Sequence, residues 1–372
     1  MQTRTHKHQR VAQKLRELIG ELSPGDRLPS VAELEAHFNV ASSTVEAAMR
    51  TLTDERLIER RRGSGTYVAW RKQASAPSLL ATRPLTGMIG VVALCAPLVI
   101  LSDLLESVER ELRTADESPV LILGSSVDET RIFAACQKVR DGVLDGFVHL
   151  GSLDMPIPSE IPAVIMGETT NESDAWMVTV DNIQVGEKVA SHLAGLGHKR
   201  MAFVGGYQLN IIWAPRLKGY RDWITSHGME WRDEWVVKAD TSGTFDYSDA
   251  DVQKLTQALS VLMARDDRPT AVFGVTDQNA VLIIRVLERL GYRVPEDVSV
   301  VGCDDSRGLA GILARPLTTV KMPTESIGMV GVQMLRDRIA LQRENALPAS
   351  RRALRLAGSL VIRETTAPPS VQ

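Results

Sequence analysis

Residues 24–68 read PGDRLPSVAELEAHFNVASSTVEAAMRTLTDERLIERRRGSGTYV, and their spacing decides how the chain begins. Ser30 with Glu33, and Ser43 with Glu46, each match a capping box, in which a hydroxyl and a carboxylate satisfy orphan amides at a helix start. Val31, Leu34 and Phe38 then share one helical face, and Val45, Ala48, Met49 and Leu52 share another. The few residues between the two patterns suit a tight turn. Helix, short turn, helix is the unit that lays its second helix in the major groove of DNA. Residues 57–62 and 66–68 read as short strands turned by Gly63-Ser64-Gly65, because glycine tolerates positive φ. Arg60, Arg61 and Arg62 charge that hairpin positively, where it can reach phosphates or a narrow minor groove. Upstream, Val11, Leu15, Leu18, Ile19 and Leu22 form the apolar stripe of a first helix that packs behind the other two.

Taken in order, PGDRLPS, ASSTVEAAM and LIERRRGSGTYV resemble the winged helix-turn-helix of GntR-type bacterial transcription regulators over about residues 8–69. The resemblance implies that Ser42, Ser43 and Thr44 face base edges and that Arg50, Arg60, Arg61 and Arg62 hold phosphates. Arg27, Ser30, Gly63, Gly65 and Thr66 complete the expected DNA surface. There are departures. The family usually has Arg or a similar polar residue where Ser42 stands, often a basic residue at Glu46, and commonly glycine at Arg56.

A length of 372 residues predicts two or three domains, and an apolar fraction of 44% is that of an ordinary globular protein. The net charge of −3 is unevenly spread: residues 1–72 hold 13 Lys and Arg against 9 Asp and Glu, leaving −7 for the remainder. A basic head on an acidic body suits a DNA contact confined to one end. Cys95, Cys136 and Cys303 are odd in number and far apart, which fits buried thiols in a reducing cytoplasm better than a disulfide frame or a metal site. The start, MQTRTHKHQR, has no apolar core of a signal peptide, and the uncharged run 87–102 is too short to span a membrane and contains Pro97. That run reads as a buried strand leading into a loop.

Residues 71–86 mix Ala, Ser and Pro without a period and read as a linker between a head over residues 1–70 and a body over 87–366. Residues 367–372 are expected to be a disordered tail. In the body, short apolar runs alternate with helical patterns. Strands are expected at 88–94, 120–123, 146–150, 163–166 and 177–180, then at 200–205, 236–239, 271–275 and 298–302. Helices are expected at 103–114, 128–141, 183–196, 250–264 and 279–290. Apolar strands between helices predict an α/β fold with doubly wound parallel sheets, and the two sets predict two lobes.

VDNIQVGEKVASHLAGLGHKRMAFVGG, RLKGY, RPTAVFGVTDQNAVLIIRVLERLGYRVPEDVSVVGCDDS and RPLTTVKMP resemble the ligand-binding core of LacI/GalR regulators, itself similar to periplasmic sugar-binding proteins. The match covers about residues 87–364. A GntR-type head on a LacI-type body is also the layout of the arabinose-repressor group. The resemblance implies a homodimer and a two-lobed, periplasmic-binding-protein-like domain with three crossovers, near Val180, Thr319 and Ala346. Lobe 1 would then span about 87–180 plus 320–346, and lobe 2 about 181–319 plus 347–366.

Ligands of open α/β sheets sit outside the carboxyl ends of the strands. Thr276, Asp277 and Asp304 stand just past two such ends, and Arg216 is expected to open a helix after a third. Carboxylate and guanidinium groups suit sugar hydroxyls, and an apolar surface suits the ring. By motif, Asp304 falls on the family's hydroxyl-binding carboxylate, Arg216 on its cleft arginine, and Phe245 near a position that packs on the sugar. Thr276 replaces the usual Asn. Leu98-Val99-Ile100-Leu101 replaces an Asn-Pro-aromatic-aromatic run, so Trp213 is a candidate replacement ring, and the effector is a sugar or a non-sugar such as a purine. Asp304 and Asp305 are neighbours on an extended chain and point opposite ways, which does not suit a glycosidase pair; Asp305 is expected to fix its loop. No GxSxG elbow, HExxH helix, phosphate loop or CxxC pair is present. The reading is therefore a DNA-binding regulator with no enzymatic activity, no cofactor and no bound metal.

Overall fold

The computed structural model describes residues 7–22, 26–54, 57–61, 65–68, 83–94, 98–124, 130–153, 155–169, 175–205, 210–238, 249–306, 313–344 and 352–370. Two compact units result, Met1–Ser78 and Leu79–Gln372. Of the expected linker, residues 71–82 lie outside the described residues.

The head contains helices α1 (Lys7–Glu21), α2 (Val31–Phe38) and α3 (Ser42–Asp54), followed by strands β1 (Ile58–Arg61) and β2 (Gly65–Val68). Its core joins Val11 and Leu15 of α1 and Leu34 of α2 to Val45, Ala48, Met49 and Leu52 of α3, with Ile58 and Val68 from the hairpin. Ser30 caps α2 as expected: its Oγ accepts from the Glu33 amide at 3.3 Å, and the Glu33 carboxylate accepts from the Ser30 amide at 2.7 Å. The second capping box does not form. α3 starts at Ser42, the Ala41 carbonyl accepts from the Thr44 and Val45 amides, and the Glu46 carboxylate plays no part in a cap.

In the body, β3 (Met88–Leu94), α4 (Leu98–Arg113), β4 (Ser118–Gly124), α5 (Thr130–Arg140), β5 (Gly146–Leu150), β6 (Ala163–Met166) and β7 (Trp176–Val180) build lobe 1. α6 (Asn182–Gly195), β8 (Met201–Gly205), α7 (Asn210–Ser226), β9 (Val236–Lys238), α8 (Asp249–Met263), β10 (Ala271–Gly274), α9 (Asp277–Arg289), β11 (Ser299–Asp304) and β12 (Thr318–Lys321) build lobe 2. α10 (Thr324–Arg343) and β13 (Ala353–Leu356) return to lobe 1, and β14 (Ser359–Val361) ends in lobe 2. The sheet orders are β13-β7-β6-β5-β3-β4, all parallel, and β14-β12-β11-β10-β8-β9, parallel except for β14. The strands β5, β6, β7 and β8 are buried throughout, as parallel strands covered on both faces must be.

The chain passes between lobes after Val180, again through Met322-Pro323, and a third time through Ala357-Gly358. Two expected crossings therefore move. Thr319 stays in lobe 2, because β12 pairs with β11, and the third crossing falls well after Ala346, because β13 pairs with β7. Gly358 sits where an added Cβ would lie 2.8 Å from Val320 and 3.6 Å from Val180, so the three crossing segments run side by side. Residue 367 is also not loose: His198 Nε2 lies 2.9 Å from the Ala367 carbonyl, and the Ser299 hydroxyl accepts from the Ala367 amide at 3.0 Å. α4 begins at Leu98, five residues before the expected start, and Leu101 joins the lobe 1 core.

α6 and α7 approach through two glycines. An ideal Cβ on Gly186 would lie 2.1 Å from the Arg216 carbonyl oxygen, and one on Gly219 would lie 2.0 Å from that of Ile183. Backbone cannot yield as a side chain tip does. Gly186→Ala is therefore expected to cost about 1–3 kcal/mol, the range of overpacked cores, and to displace the Arg216 backbone. A thermal melt that shifts by less than a degree would contradict this.

Candidate functional site

The head presents one exposed stripe. With Val45, Ala48, Met49 and Leu52 turned inward, Ser42, Ser43, Glu46, Arg50 and Thr53 of α3 are exposed, while Thr44 is half-buried. Residues 26–28 run beside the hairpin through an isolated bridge: Arg27 pairs with Tyr67, and the Leu28 amide donates to the Thr66 carbonyl at 2.8 Å. The Arg27 guanidinium lies over Gly65, whose φ is +130° and where a Cβ would come within 2.9 Å of Nε. Gly65 is thus required both for its backbone angle and for this close approach. Arg60 is exposed, with one guanidinium nitrogen 3.9 Å from Met49 Sδ. Arg61 ends β1 opposite Gly65. The placement of Arg62 and Gly63 and the side chain of Arg61 lie outside the described residues. Ser30 is exposed but engaged in its cap.

The body concentrates buried polar groups where its lobes meet. Arg216 is 2% exposed and sits inside α7, which starts at Asn210 rather than at Arg216. Its Nε donates to Asn182 Oδ1 at 2.8 Å, another nitrogen donates to the Val275 carbonyl, and a third lies 3.7 Å from Asp304 Oδ1. Asn182 in turn donates to Glu168 Oε1 at 3.1 Å, and Glu168 Oε2 lies 3.4 Å from Arg355 on β13. A continuous polar chain thus runs from Asp304 in lobe 2 to Arg355 in lobe 1 across the first crossing.

Asp304 is strained as well as buried. Its φ is 129° and that of Asp305 is 54°, both in the region that L residues avoid. Among the described residues Asp304 Oδ2 is buried without a hydrogen-bond partner, as are Gln278 Nε2 and Ser306 Oγ, also just past strand ends of lobe 2. Burial pushes the Asp304 carboxyl up to about 8; the Arg216 charge pulls against this, and Asp277 adds to it. Asp305 turns elsewhere and accepts from Arg363 at 2.6 Å, so it fixes its loop as expected.

Three expected ligand contacts have other employment here. Asp277 is 0% exposed: one oxygen accepts from Thr319 Oγ1 at 2.5 Å and the other from the Ser306 amide at 2.9 Å. It positions the second crossing and the Asp304 loop and offers a ligand no surface. Burial raises its carboxyl above the ordinary range, against the two hydrogen bonds. Thr276 caps α9, accepting from the Asn279 amide at 3.2 Å. Trp213 is half-buried against the lobe 2 core, 6.3 Å from Phe203, and among the described residues its buried Nε1 has no partner. Phe245 lies outside the described residues. A polar cavity of about 290 Å³ borders the second crossing, lined by Asp103, Glu106, Asp305, Lys321, Met322 and Glu325; none of the expected ligand residues lines it.

Sequence reading missed Asn182 and Glu168. The Asp-Asn pair at 181–182 carried a usable signal, because Asp181 caps α6 and so places Asn182 at its first turn. Among the described residues no cluster of His, Cys, Asp and Glu could hold a metal ion, and no helix is long and apolar enough to cross a membrane.

Residues 7–68 match the family model described as bacterial regulatory proteins, gntR family, and residues 190–366 match the periplasmic binding protein-like domain. The HTH-type transcriptional regulator CelR of Thermobifida fusca is 35% identical over 224 residues, covering 58% of this chain and 62% of that protein. This chain thus spans less than two thirds of that relative. The HTH-type transcriptional repressor PurR of Salmonella newport (strain SL254) is 26% identical over 335 residues, covering 86% of this chain and 93% of that protein. A solved structure described as the transcriptional regulator CelR-cellobiose complex superposes with a TM-score of 0.64 at 24% identity, covering 91% of this chain and 100% of its own, a likeness of fold. The chain therefore joins a head of the gntR family to a periplasmic-binding-protein-like body of the kind found in HTH-type transcriptional regulators.

Proposed function

We propose that the chain is a ligand-responsive, DNA-binding transcriptional regulator, a repressor of genes for carbohydrate use, acting in the cytoplasm as a homodimer. Two heads related by a two-fold axis would read a palindromic site. α3 supplies the groove-facing stripe, and Arg27, Arg50, Arg60 and Arg61 supply phosphate contacts. The effector sits between the lobes, against Arg216 and Asp304. It acts only if it favours one lobe arrangement by free energy.

One observation carries the ligand half: among the described residues one buried oxygen of the Asp304 carboxyl has no hydrogen-bond partner, beside a buried arginine at a crossing between lobes. Natural interiors rarely leave such an atom unmet, and a sugar hydroxyl is a donor of the right kind. Names of the relatives support the regulator half, and the structure solved with cellobiose supports a carbohydrate as the effector class.

The test is a gel shift on the gene's own upstream DNA at several salt concentrations, with and without cellobiose, glucose or hypoxanthine. Affinity should fall steeply with salt, and Arg60→Ala with Arg61→Ala, which together remove four contacts from the two heads of the dimer, should lower that slope by about four. One of the sugars should change the affinity. Binding no better than to unrelated DNA at low salt would end the regulator reading; a response to hypoxanthine alone would replace the sugar by a purine.

A further inference from the structure

We propose that Glu46 is a specificity-determining residue, accepting a hydrogen bond from the N4 amino group of a cytosine in each half of the DNA site. The inference rests on the reading of the chain as a DNA-binding regulator and adds which base one side chain selects.

The buried face of α3 leaves Glu46 on the exposed stripe, one turn before Arg50. The start of α3 at Ser42 releases its carboxylate from the expected cap. Nor does it engage Arg50 in the i, i+4 ion pair that the spacing permits: among the described residues the Glu46 side chain has no hydrogen bond or ion pair. On a helix surface meant for DNA this is costly. A carboxylate carries acceptors only, and phosphates repel it.

Donors in the major groove narrow the choice. Base edges there offer amino groups on cytosine and adenine alone. Adenine sets its N7 acceptor beside the amino group, facing the second carboxylate oxygen. Cytosine sets no acceptor there, so it is the base a glutamate selects.

The full-length protein, with Glu46→Ala and Glu46→Gln variants, is titrated against its upstream DNA site and against sites substituted one base pair at a time. For the parent, changing one C·G pair to T·A in a half-site should weaken binding about tenfold or more. Glu46→Ala should flatten the preference at that position alone, with binding to unrelated DNA unchanged or tighter because a negative charge has gone. Glu46→Gln should move the preference to adenine, which glutamine meets at N6 and N7. If Glu46→Ala keeps the parent's preference at every position, or flattens a position that holds another base, the inference is wrong. If the parent itself does not prefer its own upstream DNA, the regulator reading fails first and this one goes with it.

Discussion

Arg216→Ala should melt the body far below the parent and abolish its response to any effector. The guanidinium is almost wholly buried and serves Asn182, the Val275 carbonyl and Asp304 together. Removing it strands two buried acceptors, Asn182 Oδ1 and the Val275 carbonyl, and each buried acceptor left unmet costs about 1–3 kcal/mol. Asp304 holds its proton below about 8 and so adds no stranded charge at neutral pH. Asn182 would also lose the contact that orients its amide toward Glu168, so the tie between lobes loosens as well. Arg216→Lys should recover little, because one ammonium cannot span three partners fixed for a planar fork. Calorimetry of the full chain should show the body transition fall, while the head, a separate compact unit, keeps its own transition and its DNA affinity. A body transition within a degree or two of the parent, with ligand response intact, would show that the arginine is dispensable.

The same site shows what sequence can and cannot convey. The sequence placed Asp304 at a strand end and Arg216 on a family motif, and the structure brings the two side chains to 3.7 Å of each other. Asp277 stands equally close to a strand end, yet its carboxylate turns inward to Thr319 and Ser306. Position along the chain gives the end of the strand, not the direction of the side chain. Glu168 and Asn182 become partners only once β6 and α6 are set on either side of a crossing, and no local pattern encodes that. A similar limit governs the strands. β5, β6 and β8 are apolar on both faces and announce themselves, whereas β12, β13 and β14 are short, carry Thr, Arg or Ser, and are partly exposed. Their identity comes from the partner they pair with, which is why the third crossing was misplaced. In the head, Ser30-Glu33 and Ser43-Glu46 are the same motif on paper. Only the first forms, because α3 begins at Ser42 and Ser43 therefore lies inside its first turn instead of at the cap position.

Binding of a sugar should expel a proton from Asp304, so that affinity rises with pH between about 6 and 8. The sign follows from burial. Asp304 titrates near 8 in the fold against an ordinary value of 3.8, so across that window the folded body holds a proton that the unfolded chain has released. Stability of the ligand-free body should accordingly fall as pH rises through the window and level off above about 8. A hydroxyl that donates to the carboxylate favours its ionised form, and the proton must leave as the sugar arrives. Titration calorimetry with cellobiose, or the sugar giving the largest thermal shift, in two buffers of different ionisation enthalpy at pH 7 should give different apparent heats. Asp304→Asn should make the heats equal, weaken the sugar strongly and flatten the pH dependence of the melt, while DNA binding by the head persists. Equal heats in the two buffers for the parent, or an affinity that falls as pH rises, would mean that the carboxyl stays protonated over the ligand and donates to it instead.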